Sequence, residues 1–177
     1  MLLGARISET LAKRTYRTFE RHRLLTPERI LSAGWQYLVD PIMREGGYVR
    51  YDGKTSNEIL RNCEMLIAEY GGSLKRVHAL ARNSRDLEAR LDRFFGVGPI
   101  TVNIFLRELR PRWSKADPEP LPGVKALARK LHIDLRHYPR KSMAFTRLEA
   151  GLIRQRKTVA RALTRREDRR HRNATMR

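Results

Sequence analysis

The chain has one cysteine, Cys63, among its 177 residues. A single thiol cannot form a disulfide within the chain, and it cannot supply the cysteines of a zinc site or an iron–sulfur cluster. Cys63 lies in an apolar helical pattern, so we expect a small buried side chain rather than a catalytic thiol. The histidines His78, His132 and His137 show no metal-ligand spacing. The sequence therefore predicts no metal site and no cofactor.

Long apolar segments are also missing. No window approaches the roughly 20 apolar residues that a transmembrane helix needs. Residues 1–14 contain a short apolar stretch without a basic region before it, so they do not resemble a secretory signal. From these features we expect a cytoplasmic protein with no membrane partner.

Acidic residues are few beside the basic ones: 19 Asp and Glu stand against 38 Lys and Arg, a net charge of +19. Such a charge attracts polyanions, and nucleic acid is the first partner to expect. Ribosomal RNA or an anionic membrane surface would satisfy the same balance. Arginine outnumbers lysine, which suits bidentate phosphate contacts. Residues 154–177 hold ten Lys or Arg and two acidic residues; from residue 158 onward we expect a disordered basic tail.

No segment alternates between apolar and polar residues as a half-buried strand does, so the sequence predicts an all-α fold, a compact helical domain over residues 1–157. Thr26-Pro27 has the pattern of a helix start, and Thr55 with Glu58 has capping-box spacing at the start of another helix. Gly71-Gly72 is a stop signal. Residues 73–83 are expected to form a short connector, and the proline-rich residues 110–123 a loop.

Two short amphipathic helices are predicted to meet at a glycine-rich turn, in the sequence LDRFFGVGPITVNIFL. Glycines let the backbone turn tightly and approach a phosphate without an intervening Cβ. Amide donors at the start of the following helix lie at the positive end of its dipole. Such a turn can hold a DNA backbone without reading bases. The residues predicted to bind DNA are Gly96, Val97, Gly98, Pro99, Ile100 and Thr101.

Over residues 46–160 the chain resembles the helix-hairpin-helix DNA glycosylase superfamily, in particular its endonuclease III-like group. The resemblance rests on the helix of residues 57–70, the Gly71-Gly72 stop, Leu87, Leu91 and the GVGPITVNIFL run. It implies a helical DNA glycosylase active in base excision repair. In that family a catalytic aspartate lies in a loop after the hairpin helix, and Asp117 occupies that place.

The chain departs from the family at three points. Members that also cleave the strand carry a lysine two positions after the second glycine, where this chain has Ile100, which cannot form a Schiff base. The cysteines of the family's iron–sulfur cluster are absent, and no clear duplex-penetrating loop precedes the hairpin. The resemblance therefore implies a monofunctional glycosylase, in which Asp117 stabilises charge on the deoxyribose or orients water while the base is flipped out.

Other interpretations stay open at this stage. The GVGP sequence could be a simple turn between helices, and Asp117 an ordinary loop carboxylate. The chain could have kept a DNA-binding fold without chemistry, or it could bind RNA through its basic tail. We expect a monomer that binds double-stranded DNA and is associated with the nucleoid. The aromatic residues that could stack on a flipped base are Trp35, Tyr48, Tyr51 and Trp113.

Overall fold

The computed structural model describes residue 2 and residues 7–155, and within them it contains helices and no strand, so the predicted all-α class is confirmed. The predicted basic tail lies outside these residues. None of the helices in the described part is long and apolar enough to cross a bilayer. The helices are α1 (Glu9–Arg21), α2 (Pro27–Tyr37), a π-helical segment (Leu38–Met43), α3 (Arg44–Gly46), α4 (Asp52–Tyr70), α5 (Leu74–Leu80), α6 (Ser84–Asp92), α7 (Pro99–Leu109), α8 (Pro122–Lys130), a short 3₁₀ turn (Leu135–His137) and α9, described over residues 143–155.

The chain divides into two compact units, Met1–Leu106 and Arg107–Arg177. In the first unit, α1 and the π-helical segment supply most of a buried apolar cluster, formed by Phe19, Leu24, Leu38, Ile42, Met43 and Tyr48. Tyr48 had been a candidate for stacking on a base, but its side chain is only 1% exposed. That candidate is therefore wrong, because the ring fills the core of unit 1.

The helix that begins at Pro27 bends twice before it ends near Gly47. Thr26 caps it as predicted, with its hydroxyl 3.4 Å from the amide of Arg29. Gly34 has φ +75° and breaks the helical path, and Pro41 lies within the π-helical segment, where it cannot donate a backbone hydrogen bond. The helix start predicted at Thr26-Pro27 carries no information on either bend.

Helix α4 begins earlier than the sequence pattern predicted. Its first residue is Asp52, and Thr55 is 5% exposed inside the first turns. The predicted capping box of Thr55 and Glu58 is therefore wrong, because Thr55 already donates its backbone amide to Tyr51. The predicted stop is confirmed: Gly71 has φ +56°, a conformation that suits glycine.

The segment between α4 and α6 is helical rather than a plain connector, since α5 covers Leu74–Leu80 and buries Val77 completely. The next helix agrees with the prediction. Asn83 caps α6 through the amide of Asp86, 2.9 Å away. The apolar side chains of this helix and of the turn after it are buried: Leu87, Leu91 and Phe94.

The second unit has its own apolar cluster, in which α8 packs against α9. The buried members are Val124, Leu127, Ala128 and Leu152. Helix α8 begins at Pro122, so the loop predicted over residues 110–123 ends at residue 121. The helix ends in a Schellman motif: the amide of Ile133 donates to the carbonyl of Ala128 at 2.9 Å, and the amide of His132 to that of Arg129 at 3.1 Å.

Candidate nucleic-acid interface

The predicted hairpin is a turn of residues 93–98 between α6 and α7. The carbonyl of Gly98 accepts the first helical hydrogen bond of α7, from the amide of Val102 at 3.0 Å. Gly98 is therefore the N-cap residue, and Pro99 is the first residue of the helix. The amides of Ile100 and Thr101 belong to the first turn, where no helical carbonyl can accept from them.

Gly98 provides no capping side chain for these amides. By contrast, three other helices of unit 1 are capped by side-chain oxygens, those of Ser8, Thr26 and Asn83. The first turn of α7 is thus left with uncapped donors at the positive end of a helix dipole. An anion is the group that such a turn binds best.

Gly96 and Gly98 differ in backbone angle and in the space available for a Cβ. Gly96 has φ +69°, and a Cβ built there would lie 2.7 Å from Cδ of Glu58 and would overlap its Oε2. Gly98 has no left-handed φ, and a Cβ built there would have no neighbour within 4 Å. The fold therefore requires glycine at position 96, whereas at position 98 the fold itself places no steric demand.

The side chain of Asn62, on α4, binds the backbone of the hairpin. Its side-chain amide donates to the carbonyl of Phe95 at 2.9 Å, and its side-chain oxygen accepts from the backbone amide of Phe95 at 2.7 Å. Asn62 is 8% exposed, so water competes little for these bonds. The sequence analysis missed this residue, although a polar side chain three residues after Ile59 and four before Leu66 was visible on the apolar face of α4.

Two exposed side chains border the turn. The guanidinium of Arg61 lies 3.5 Å from the centroid of the Phe95 ring, a cation–π contact that fixes a positive charge beside the hairpin. Ile100 is 64% exposed at the start of α7. An exposed cation thus lies against Phe95 of the turn, and an exposed apolar side chain follows the turn at the start of α7.

Beneath the hairpin lies an apolar cavity of about 280 Å³, whose lining includes Cys63, Phe94, Val97 and Thr101. Val97 is half-buried and lines this cavity. Burial raises the pKa of the Cys63 thiol to about 11, with further contributions from the charges of Glu28 and Glu64. Cys63 is thus a protonated core thiol, as expected from the sequence.

Asp117 belongs to unit 2, where two arginines engage its carboxylate. Nε of Arg140 lies 3.0 Å from Oδ1 and 3.2 Å from Oδ2, and Nη2 of Arg140 lies 2.9 Å from Oδ1. Nε of Arg110 is 3.2 Å from Oδ1, within ion-pair distance but without hydrogen-bond geometry. The Asp117 side chain is 28% exposed. Its negative charge is balanced by neighbouring cations.

Arg110 is the buried centre of this network. Its guanidinium forms an ion pair with Glu149, donates to the carbonyl of Pro118 at 2.6 Å and lies 4.9 Å from the centroid of the Phe145 ring. Arg110 is 1% exposed and so is Glu149. The sequence analysis had placed Arg110 in a loop without expecting its burial, because nothing in the local pattern shows a partner 39 residues away.

The remaining aromatic candidates differ in exposure. Trp35 is 42% exposed, and its Nε1 donates to the carbonyl of Gly53 at 3.3 Å. Tyr51 is half-buried, with Arg50 5.3 Å from its ring centroid, and Trp113 is half-buried in unit 2. In the described residues, no three His, Cys, Asp or Glu side chains meet in an arrangement that could hold a metal ion.

Comparisons of the chain with protein-family models, with curated protein sequences and with solved structures give no match.

Proposed function

We propose that this protein binds double-stranded DNA through the hairpin of residues 93–98 and the first turn of α7. The observation that carries the proposal is Gly98, a glycine with ordinary backbone angles and open space where its Cβ would be. A missing Cβ at a helix N-terminus lets a phosphate oxygen reach the backbone amides. The net charge of +19 would draw a polyanion to this surface.

Recognition of this kind is independent of sequence. Amides and arginine bind phosphates, and no base edge is read by them. The bidentate bonds of Asn62 with Phe95 would keep the turn rigid, so that little conformational entropy is lost on binding. Arg61 would neutralise a phosphate beside the hairpin.

The test compares two glutamate substitutions that change the net charge equally. Gly98→Glu places a carboxylate at the proposed phosphate position, and Gly151→Glu places one on α9, where a Cβ also has no neighbour within 4 Å. We expect Gly98→Glu to abolish measurable duplex binding in an anisotropy titration and Gly151→Glu to weaken it slightly. Equal affinities for the two variants would contradict the proposal.

Base excision by Asp117 is the second candidate function. It is favoured by the partial exposure of the carboxylate and by the exposure of Arg140, 36%, which would let this arginine leave Asp117 when a substrate arrives. While the two arginines stay bound, they cancel the charge that would stabilise an oxocarbenium-like transition state. The arrangement therefore supports a non-catalytic DNA-binding protein better than an enzyme.

A single-turnover base-release assay separates the two functions. Duplexes with uracil, mismatched thymine, alkylated purines or oxidised bases are treated with hot alkali to reveal abasic sites. If Asp117 is catalytic, release on one of these substrates is lost in Asp117→Asn and increases in Arg140→Gln, which frees the carboxylate. If Asp117 only holds the loop, wild type and both variants bind DNA and release no base.

A further inference from the structure

A second basic surface lies on unit 2, where α8 ends. It is a groove of about 700 Å³, here called the α8 groove and defined by four of its lining residues, Lys125, Arg129, His132 and Arg136. All four are exposed. The groove was not among the sites predicted from the sequence.

Within the described residues, two of the cations in the α8 groove are paired with carboxylates, and Arg129 is not. Asp134 binds Arg136: its carboxylate accepts hydrogen bonds from Nε and from Nη2 of the arginine, at 3.0 Å each. Lys125 pairs with Glu119 at 2.8 Å. Arg129, by contrast, lies within the groove lining and has no carboxylate partner among the residues that the structure describes. Its charge is free for an external anion.

The ion pair with Asp134 fixes the position of the Arg136 guanidinium. The bonds from Arg136 lower the pKa of Asp134 to about 2, so the carboxylate stays ionised and keeps the guanidinium in one place. A guanidinium has five N–H donors, and Arg136 is 91% exposed. It can therefore bind a phosphate while it remains bound to Asp134.

The backbone of His132 gives the second, independent observation. His132 has φ +55°, at the position of a Schellman motif where glycine is the usual residue. A non-glycine residue is strained there, because its Cβ crowds the backbone. Arg23 has the same backbone conformation where α1 ends, with φ +56°, so the strain alone does not mark a site. It is the place of the exposed His132 imidazole in the lining of a basic groove that indicates a binding role for this side chain.

The helix dipole is the competing explanation for these cations. Basic residues stabilise a helix C-terminus, but the effect falls off within the last turn. Arg129 lies in that turn, whereas Arg136 follows the end of α8 by six residues. The dipole therefore accounts for Arg129 but not for the exposed guanidinium of Arg136.

We propose that the α8 groove binds the phosphate backbone of the same class of ligand, duplex DNA, and so provides a second contact surface on unit 2. This inference rests on the proposed function for the identity of the ligand. Arg129 and Arg136 would each neutralise a phosphate, and His132 would donate a hydrogen bond to a phosphate oxygen.

The first experiment measures the salt dependence of duplex binding for Arg129→Gln/Arg136→Gln and for a matched pair, Lys75→Gln/Arg85→Gln. Lys75 on α5 and Arg85 on α6 are both exposed, and their substitution also removes two positive charges. Each lost phosphate contact reduces the slope of log affinity against log salt by about 0.9 and lowers affinity about fivefold at 0.15 M salt. We expect the groove pair to reduce the slope by about 1.8 and the affinity about 30-fold. The same changes in the matched pair would overturn the proposal.

The second experiment uses His132→Gly, which separates binding from folding. Glycine relieves the left-handed strain, so Tm should rise by roughly 2–4 °C. If the imidazole binds phosphate, duplex affinity should fall although the protein is more stable. A higher Tm with unchanged affinity would show that the His132 imidazole does not bind the duplex.

Failure of this inference and failure of the proposed function give different results. If Gly98→Glu abolishes duplex binding and the groove pair behaves as the matched pair does, the hairpin binds DNA and the groove does not. If Gly98→Glu leaves binding intact and the groove pair loses it, the proposed function fails at the hairpin while the groove stands. Tighter binding of a structured RNA than of the duplex, lost in the groove pair, would overturn the assignment to DNA.

Discussion

Alanine at the two hairpin glycines should separate the demands of folding from those of DNA binding. Gly98→Ala adds a methyl group to open space at a residue with ordinary backbone angles. The unfolded chain loses entropy, which stabilises the protein by about 0.4–1 kcal/mol, while alanine is a poorer N-cap than glycine by roughly 0.5–1 kcal/mol. The net change in the free energy of unfolding should lie within about 0.5 kcal/mol of zero.

The same methyl group should weaken DNA binding. It stands between an incoming phosphate and the amides of Ile100 and Thr101, so at least one hydrogen bond to a charged oxygen is lost or lengthened. Such a bond is worth about 1.5–3 kcal/mol, which corresponds to roughly a 10- to 100-fold loss of affinity. An anisotropy titration with a short duplex at fixed salt measures this loss, and urea unfolding measures the stability of the same sample.

Gly96→Ala gives the opposite pattern. At φ +69° an alanine is strained by about 1–2 kcal/mol, and the Glu58 carboxylate must also move. The free energy of unfolding should fall by roughly that amount, with a smaller effect on DNA affinity at temperatures where the protein remains folded. If Gly98→Ala bound duplex as tightly as the wild type, the open space at Gly98 would have no connection with phosphate binding, and the reasoning would be refuted.

Three further predictions concern unit 1. In Gly46→Ala the new Cβ would lie 2.7 Å from the Thr15 Cα, so α1 must shift; urea unfolding should show a loss of roughly 1–3 kcal/mol, and an unchanged midpoint would contradict this packing. Asn62→Ala leaves the Phe95 amide and carbonyl without partners and should cost roughly 2–4 kcal/mol while lowering duplex affinity. Since the native pKa of Cys63 is raised to about 11 from 9.0, the thiol favours folding below pH 9, and this contribution is lost as the pH rises through 11. Alkylation of native Cys63 should therefore be slow at pH 8 and accelerate toward pH 11, whereas a rate equal to that of the unfolded chain at pH 8 would show that the thiol is not buried.

Local signals in the sequence were sufficient for much of the helical framework. Thr26 caps α2, Gly71 ends α4, and Leu87 and Leu91 are buried on α6, because each of these outcomes depends on neighbours within one or two turns. The start of α4 was predicted too late, at Thr55. A serine or threonine followed by glutamate fits a helix interior as well as a capping box, and the backbone bond from Thr55 to Tyr51 decided between them.

The candidate sites depend on contacts that no local pattern encodes. The bonds of Asn62 join residues 33 positions apart, and Asp117 is engaged by Arg140, 23 positions away. The sequence predicted a turn before α7 and a loop around Asp117, and the structure has both. The sequence could not show that the Asp117 carboxylate already has arginine partners, which is what shifts the proposal from catalysis toward binding.

The most direct test of the hairpin's role is a titration of ¹⁵N-labelled protein with a short duplex, followed by amide chemical shifts. Pro99 has no amide, so the informative signals are those of Gly98, Ile100 and Thr101. If a phosphate binds at the start of α7, these three amides show the largest downfield shifts, and they saturate with the affinity measured by anisotropy. Saturable binding that leaves the three signals unmoved while others shift would contradict the assignment of the hairpin as the DNA-binding site.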